Sequence, residues 1–188
     1  MKAPADLLID QLQSGFPTYL RSDVEVAART MVPDVRYGIH FRENPSFVSV
    51  GSEQLRLPLR HGFKPRTLPS SPEANATIEA AIAARHYDGF VRQRSVQPLV
   101  RSREIWTIPY ILELASDYVI EILTELEDHY SEIDRANLRR YVADNPAHLA
   151  LATARINSYW NEYYRTTTKN QAISTYPGFR LLTAIAGL

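Results

Sequence analysis

The sequence contains no cysteine. That absence excludes a disulfide scaffold, thiolate catalysis and any cysteine-based zinc or iron–sulfur site. Long apolar runs are missing too, and nothing approaches the roughly 18 consecutive apolar residues of a membrane-crossing helix. The opening MKAPADLLIDQLQSGF holds one lysine and a short apolar run broken by Asp10, the pattern of neither a signal peptide nor an anchor. A surplus of charge is equally absent, because 21 Lys+Arg balance 21 Asp+Glu. The total therefore pulls the molecule toward neither nucleic acid nor an anionic membrane. Missing as well are a Gly-x-Ser-x-Gly elbow, a phosphate loop, a Gly-x-Gly-x-x-Gly turn and a His-Glu-x-x-His pair. The expectation from these absences is a cytoplasmic protein with no membrane partner, no cofactor and no metal. An active site assembled from distant residues would leave no trace of this kind.

What is present is an ordinary globular composition, 45% hydrophobic and 22% charged over 188 residues. That is enough apolar side chain for one core. The pattern predicts a single domain over 1–188, with a helix–helix–meander portion at 1–68 and a helical portion at 70–188. A first helix is expected over Ala5–Gln13, stopped by Gly15 and Pro17. A second starts at Ser22, where Ser22 and Glu25 have the spacing of a capping box, and ends before Pro33. Strict alternation over Val35–Arg42 predicts a strand. A turn at Asn44-Pro45, a short strand over Phe47–Val50, a turn at Gly51-Ser52 and an edge strand over Leu55–Arg60 follow, Pro58 being unable to donate to a ladder. The fold class is thus α+β, mainly helical, with a small three-stranded antiparallel meander near the N-terminus packed on a bundle of about five to seven helices.

His61–Ser70 is expected as a connector, and Ser71-Pro72 as the start of a helix running to about Arg85. The stretch 86–104 is left open. Ile108, Leu112, Ala115, Val119, Ile122 and Leu126 recur every three or four residues, which predicts one helix over Ile108–Tyr130, roughly 35 Å long at about 1.5 Å per residue. Shorter helices are expected from Asp134 to Ala143, from Asn145-Pro146 to Arg165 with Tyr159 and Tyr163 toward the core, and over Phe179–Ala186.

Charge is segregated along the chain. Nine basic residues and three acids lie between Arg56 and Arg103, whereas Glu104 to Asp134 holds nine acids and no Lys or Arg. On a single long helix, Glu113, Asp117, Glu121, Glu125 and Asp128 would form one acidic stripe. Carboxylates four residues apart repel each other, so such a stripe either stays in water or faces arginines. Glu113, Asp117, Glu121 and Glu125 are therefore candidate partner-binding residues, and Arg92, Arg94, Arg101 and Arg103 are their basic counterparts. Glu113, Asp117 and Glu121 are expected to pair with arginines from 85–103 or 135–165. Arginine outnumbers lysine 18 to 3, a bias that a GC-rich genome and a demand for planar bidentate pairing both produce. Trp160, Tyr164 and Arg165 form an aromatic candidate of the kind interfaces use. Glu125, His129 and Glu132 share a helix face, but the Glu-x-x-x-His spacing occurs once and is not the di-iron pattern. Tyr87 and Phe90 between arginines leave nucleic acid as a weaker alternative. The function expected is an interaction or structural subunit working by protein–protein contacts, with self-association included. An enzyme with a spatially assembled site is the alternative, and a nucleic-acid-binding accessory protein the second.

Overall fold

The computed structural model describes residues 4–31, 35–37, 47–58, 60–63, 73–167 and 172–188. The expected turn at Asn44-Pro45, the remainder of the first strand, the connector after Phe63, the Ser71-Pro72 helix start, Lys64 and Arg66 lie outside the described residues. Packing divides the chain into two compact units, Met1–Leu99 and Val100–Leu188. The division falls inside the stretch 86–104. Among the described residues no helix is long and apolar enough to cross a membrane.

In the first unit, α1 (Pro4–Gln13) buries Ile9 and Leu12. Pro17 fixes the backbone for a 3-10 turn over Thr18–Leu20, which runs directly into α2 (Arg21–Met31). The expected capping box does not form. Ser22 lies exposed inside the helix, Glu25 pairs with Arg29 at 3.0 Å, and Glu53 from the hairpin accepts the Thr18 N–H at 2.9 Å. Val24, Ala27, Ala28 and Met31 make the buried side of α2, which packs on α1 and on α3 (Glu73–Ala83).

The three-stranded meander is corrected to two short antiparallel ladders among the described residues. β1 (Val35–Tyr37) pairs with β4 (Gly62–Phe63), and β2 (Phe47–Val50) pairs with β3 (Glu53–Arg56). The expected third strand stops at Arg56, just ahead of Leu57 and Pro58. Gly51 takes φ +61 while Ser52 stays at negative φ, which suits a two-residue hairpin turn of the II′ kind. Val48, Val50 and Leu55 are buried on one face. Arg56 N–H donates to the Ser14 carbonyl at 2.7 Å, tying β3 to the end of α1.

The open stretch 86–104 resolves into α4 (Gly89–Arg94), capped by Asp88, and α5 (Val96–Arg101). Pro98 sits in the first turn of α5, where a missing N–H costs nothing. In the second unit the expected long helix is two helices, α6 (Ile108–Ala115) and α7 (Ile120–Asp128). The apolar spacing continues across the break, but Ser116 and Asp117 end the backbone ladder. Ser116 Oγ donates to the Glu113 carbonyl at 3.2 Å, and Asp117 Oδ1 accepts the Val119 N–H at 3.0 Å. Such local side-chain bonds compete with helix continuation.

Asp134 caps α8 (Arg135–Asp144), accepting the Ala136 and Asn137 N–H groups at 3.0 Å each. α9 (Pro146–Tyr159) extends into one π turn over Trp160–Tyr164, closed by Arg165 N–H donating to the Trp160 carbonyl at 2.9 Å. α10 (Pro177–Ala186) packs on α7 and α9. More helices are therefore present than the five to seven expected, because the long periodic segment is broken and 86–104 is helical. Gly178 lets α10 approach closely, since a Cβ there would lie 2.5 Å from Ile156 Cδ1 and 3.2 Å from Leu123 Cδ1. Gly178→Ala is expected to lower unfolding free energy by about 1–3 kcal/mol through overpacking. An unchanged urea midpoint would show that the contact relaxes without cost.

Candidate functional site

α6 is apolar except for one carboxylate. Glu113 is buried among its neighbours, and a buried carboxylate must be paired and hydrogen-bonded. Arg155 of α9 supplies the pair, its Nη1 lying 3.0 Å from both Oε1 and Oε2. His148 Nε2 lies 3.0 Å from Oε1, and His148 Nδ1 lies 2.6 Å from the Tyr141 hydroxyl. Burial, and after it the Glu113 carboxylate, push the Tyr141 phenol up, so it remains a donor. The Tyr141 hydroxyl and the Glu113 carboxylate thus hold the two ring nitrogens of His148 from opposite sides. Asn145 Nδ2 donates to the Tyr141 carbonyl at 2.9 Å, completing a chain that joins α6, α8 and α9. The order of groups is that of a proton relay, yet the Tyr141 side chain is fully enclosed. The chain fastens helices together.

The remaining acidic candidates do not lie on one continuous helix, because the ladder breaks at Ser116-Asp117 and Val119 is extended. Asp117 is buried beside Tyr164 and Tyr176, whose phenols burial chiefly raises and Asp117 raises further. Glu121 is exposed, and after burial it is the second cause of the raised Tyr164 phenol. Glu125 lies 3.3 Å from His129 Nε2, while His129 Nδ1 reaches Glu132 at 2.7 Å. Arg101 first, and then His129, hold Glu132 below the usual carboxylate range. Among the described residues no group of three or more His, Asp and Glu is arranged to hold a metal ion.

The basic candidates separate in the same way. Arg92 is wholly buried and donates to the His86 and Tyr87 carbonyls at 2.9 and 2.8 Å. Arg94 is exposed on α4. Arg101 pairs with Glu132 at 2.9 Å, and Arg103 Nη1 reaches the Glu132 carbonyl at 3.5 Å. Of the pairings expected for the acidic row, the structure shows Glu113 with Arg155.

The aromatic candidates come together into a larger group than the sequence marks. Tyr164 stacks on Tyr176 with centroids 5.0 Å apart and donates to the Tyr118 carbonyl at 2.7 Å. Tyr159 meets Tyr118 edge-on at 5.9 Å and stacks with Tyr163 at 6.3 Å. Tyr163, expected in the core, is 55% exposed, and Tyr118 is 44% exposed. The π turn is the reason, since one added residue rotates 160–164 relative to the row Ala152, Ile156 and Tyr159. Trp160 is half-buried, and Arg165 is exposed with Nη1 on Asn161 Oδ1 at 2.7 Å. Tyr118, Tyr176, His148 and Arg155 were not readable as site residues. The available signal was a lone charge in each of two otherwise uncharged helices, Glu113 in α6 and Arg155 in α9.

In the first unit His61 and His86 lie edge-on at 6.3 Å, and both are buried. His61 N–H donates to the Arg85 carbonyl at 2.9 Å, and the Tyr87 N–H donates to the His61 carbonyl at 2.9 Å. Burial, then the neighbouring His86, Arg85 and Arg60, lower His61 to about 3, against a bond to Ile82 that raises it.

Two outcomes are expected from these groups. Arg155→Met strands the Glu113 carboxylate and is expected to cost about 3–5 kcal/mol, whereas Arg155→Met combined with Glu113→Gln costs less than Arg155→Met alone. Additive losses in a double-mutant cycle would mean the two are not coupled. His61 binds a proton near 6.5 when unfolded and near 3 when folded. Between those values the unfolded chain holds the extra proton, so stability present above 6.5 is lost as pH falls, by up to about 1.4 kcal/mol per pH unit. Chemical denaturation from pH 7 to 4 is expected to give His61→Gln the shallower loss, and parallel curves would remove His61 as the cause. In comparisons with known proteins, the chain matches no family model, no curated protein and no solved structure.

Proposed function

We propose that the protein is an interaction subunit whose tyrosine surface in Val100–Leu188 docks a partner protein presenting arginines. The observation that carries this reading is the pair of outward rings, Tyr118 and Tyr163, held in place by Tyr159 between them. Tyrosine offers large, rigid contact area with few rotatable bonds and is enriched in interface cores. Glu121 and Glu162 are exposed and follow or adjoin these rings in sequence, which brings negative charge to the neighbourhood of the electron-rich faces. Arginine satisfies both, stacking on a ring and forking onto a carboxylate. Of the acidic candidates Glu121 thus serves the tyrosine surface, although the row does not form the stripe expected from sequence.

A second reading rests on Phe90, 71% exposed at the start of α4, with Tyr87 also exposed and Arg94 one turn on. Rings beside an arginine are what single-stranded nucleic acid stacks upon.

Titration with an arginine-bearing peptide and with a single-stranded oligonucleotide, both followed by fluorescence anisotropy, separates the two. Peptide binding is expected, weakened by at least about 10-fold in Tyr118→Ser with Tyr163→Ser and unchanged in Phe90→Ser. Peptide binding indifferent to the tyrosine changes would refute the docking surface. Oligonucleotide binding lost in Phe90→Ser would move the function to the second reading.

A further inference from the structure

α9 is unusual on its outer side. Over Pro146–Tyr159 its one Lys, Arg, Asp or Glu is Arg155, and that side chain turns inward to Glu113. The inner side buries His148, Ala152 and Ile156. The outer side, lined by Pro146, Leu149, Ala150, Thr153, Ala154 and Asn157, forms with Val142 of α8 an open groove of about 480 Å³. A surface helix ordinarily carries charged residues away from the core. This one has fourteen residues, a length of about 21 Å, and no solvated charge along it.

Charge appears only where the groove ends. At the α8 end stands Asp144, 47% exposed and paired with Arg140 on its own helix at 4.0 Å, an exposed pair that is worth little and leaves the carboxylate open to a second donor. Beyond the other end, past Asn157 and through the π turn, lies Arg165, whose Nη1 donates to Asn161 Oδ1 at 2.7 Å. An uncharged groove with an acid at one end and an arginine at the other is complementary to itself turned end for end.

We propose that this face is a two-fold interface between two copies of the chain, with α9 packed antiparallel on α9 of the second copy. An axis between Thr153 and Ala154 sets Ala150 against Asn157 of the second copy and Pro146 against Asn161 of the second copy. The same operation brings Arg165 to the Asp144 end of the other groove, twice by symmetry. Alanine, threonine and asparagine at the contact let the helices approach to about 8 Å. Arg165 keeps donors beyond the one on Asn161, because a guanidinium has five. The pairs set the antiparallel direction, since a parallel arrangement would put Arg165 beside Arg165 and Asp144 beside Asp144. This interface is separate from the outward rings of Tyr118 and Tyr163.

Sedimentation velocity of the full chain over a wide concentration range, at low and high salt, tests the proposal. The wild type is expected to dimerise, more weakly at high salt. Ala154→Arg puts two arginines face to face at the axis and is expected to weaken the dimer by about 100-fold or more. It sits at an exposed position, and a circular-dichroism melt checks that the fold is kept. Asp144→Arg and Arg165→Asp are each expected to weaken association by about fivefold, and together to restore it to near the wild-type value. A monomer throughout the range, a dimer indifferent to Ala154→Arg, or a double reversal that weakens association further would each overturn it. Peptide binding at the tyrosine surface, being independent of these substitutions, reports separately on the proposed function.

Discussion

The second unit depends on one buried ion pair. Glu113 and Arg155 lie forty-two residues apart in the chain, and each is the lone charge of its helix. Removing a carboxylate and a guanidinium from water is costly, and the cost is offset only when the geometry is good and the remaining lone pairs are filled. Here both carboxylate oxygens meet Arg155, His148 fills a further position, and Tyr141 closes the imidazole. A purely apolar contact could slide by a turn with little loss. This chain of four side chains fixes the register of α6, α8 and α9 by direction as well as by area.

The break between α6 and α7 follows from the same neighbourhood. Ser116 bonds back to the Glu113 carbonyl, and Arg155 Nη1 reaches Ser116 Oγ at 3.4 Å. Asp117 then accepts the Val119 N–H in a turn ahead of the next helix instead of continuing the first. The chain turns, Tyr118 is left outside, and its carbonyl becomes the acceptor for Tyr164. The π turn at Trp160–Tyr164 works from the opposite side, swinging Tyr163 out and Tyr164 over Tyr176. Two local irregularities, one in each strand of the packing, therefore build the tyrosine surface. Binding sites often sit where a regular element is interrupted, because regular packing leaves side chains no freedom to converge.

α9 links the buried pair to the outer surface. Arg155 turns inward and takes the helix's charge with it, so the outer side is left neutral from Pro146 to Ser158. Moving the same guanidinium outward would solvate that face and strand Glu113. The interior requirement and the exposed uncharged groove are thus two consequences of one side-chain direction. α10 holds the far side in place, with Gly178 against Ile156 and Leu123 and a two-armed Arg180–Glu127 pair on α7.

The sequence by itself determined the kinds of element and most of their ends. Apolar spacing marked α1, α8, α9 and α10 and the buried side of α6 and α7, while Gly51-Ser52 marked the hairpin turn, because these signals depend on neighbours within a turn or two of chain. The self-repulsion of a carboxylate row also called for arginines from 85–103 or 135–165 opposite Glu113, Asp117 and Glu121, and left open which of the two tracts supplies them. It could not break the long helix, as the apolar repeat runs unchanged through Ser116 and Asp117 and only their hydrogen bonds end the ladder. Nor could it show that Arg92 lies inside, that β1 pairs with Gly62–Phe63, or that Tyr118 and Tyr176 join Tyr164. Those facts rest on groups brought together from distant positions, and the tertiary structure decided them because burial assigns each polar atom its partner only after the helices have packed.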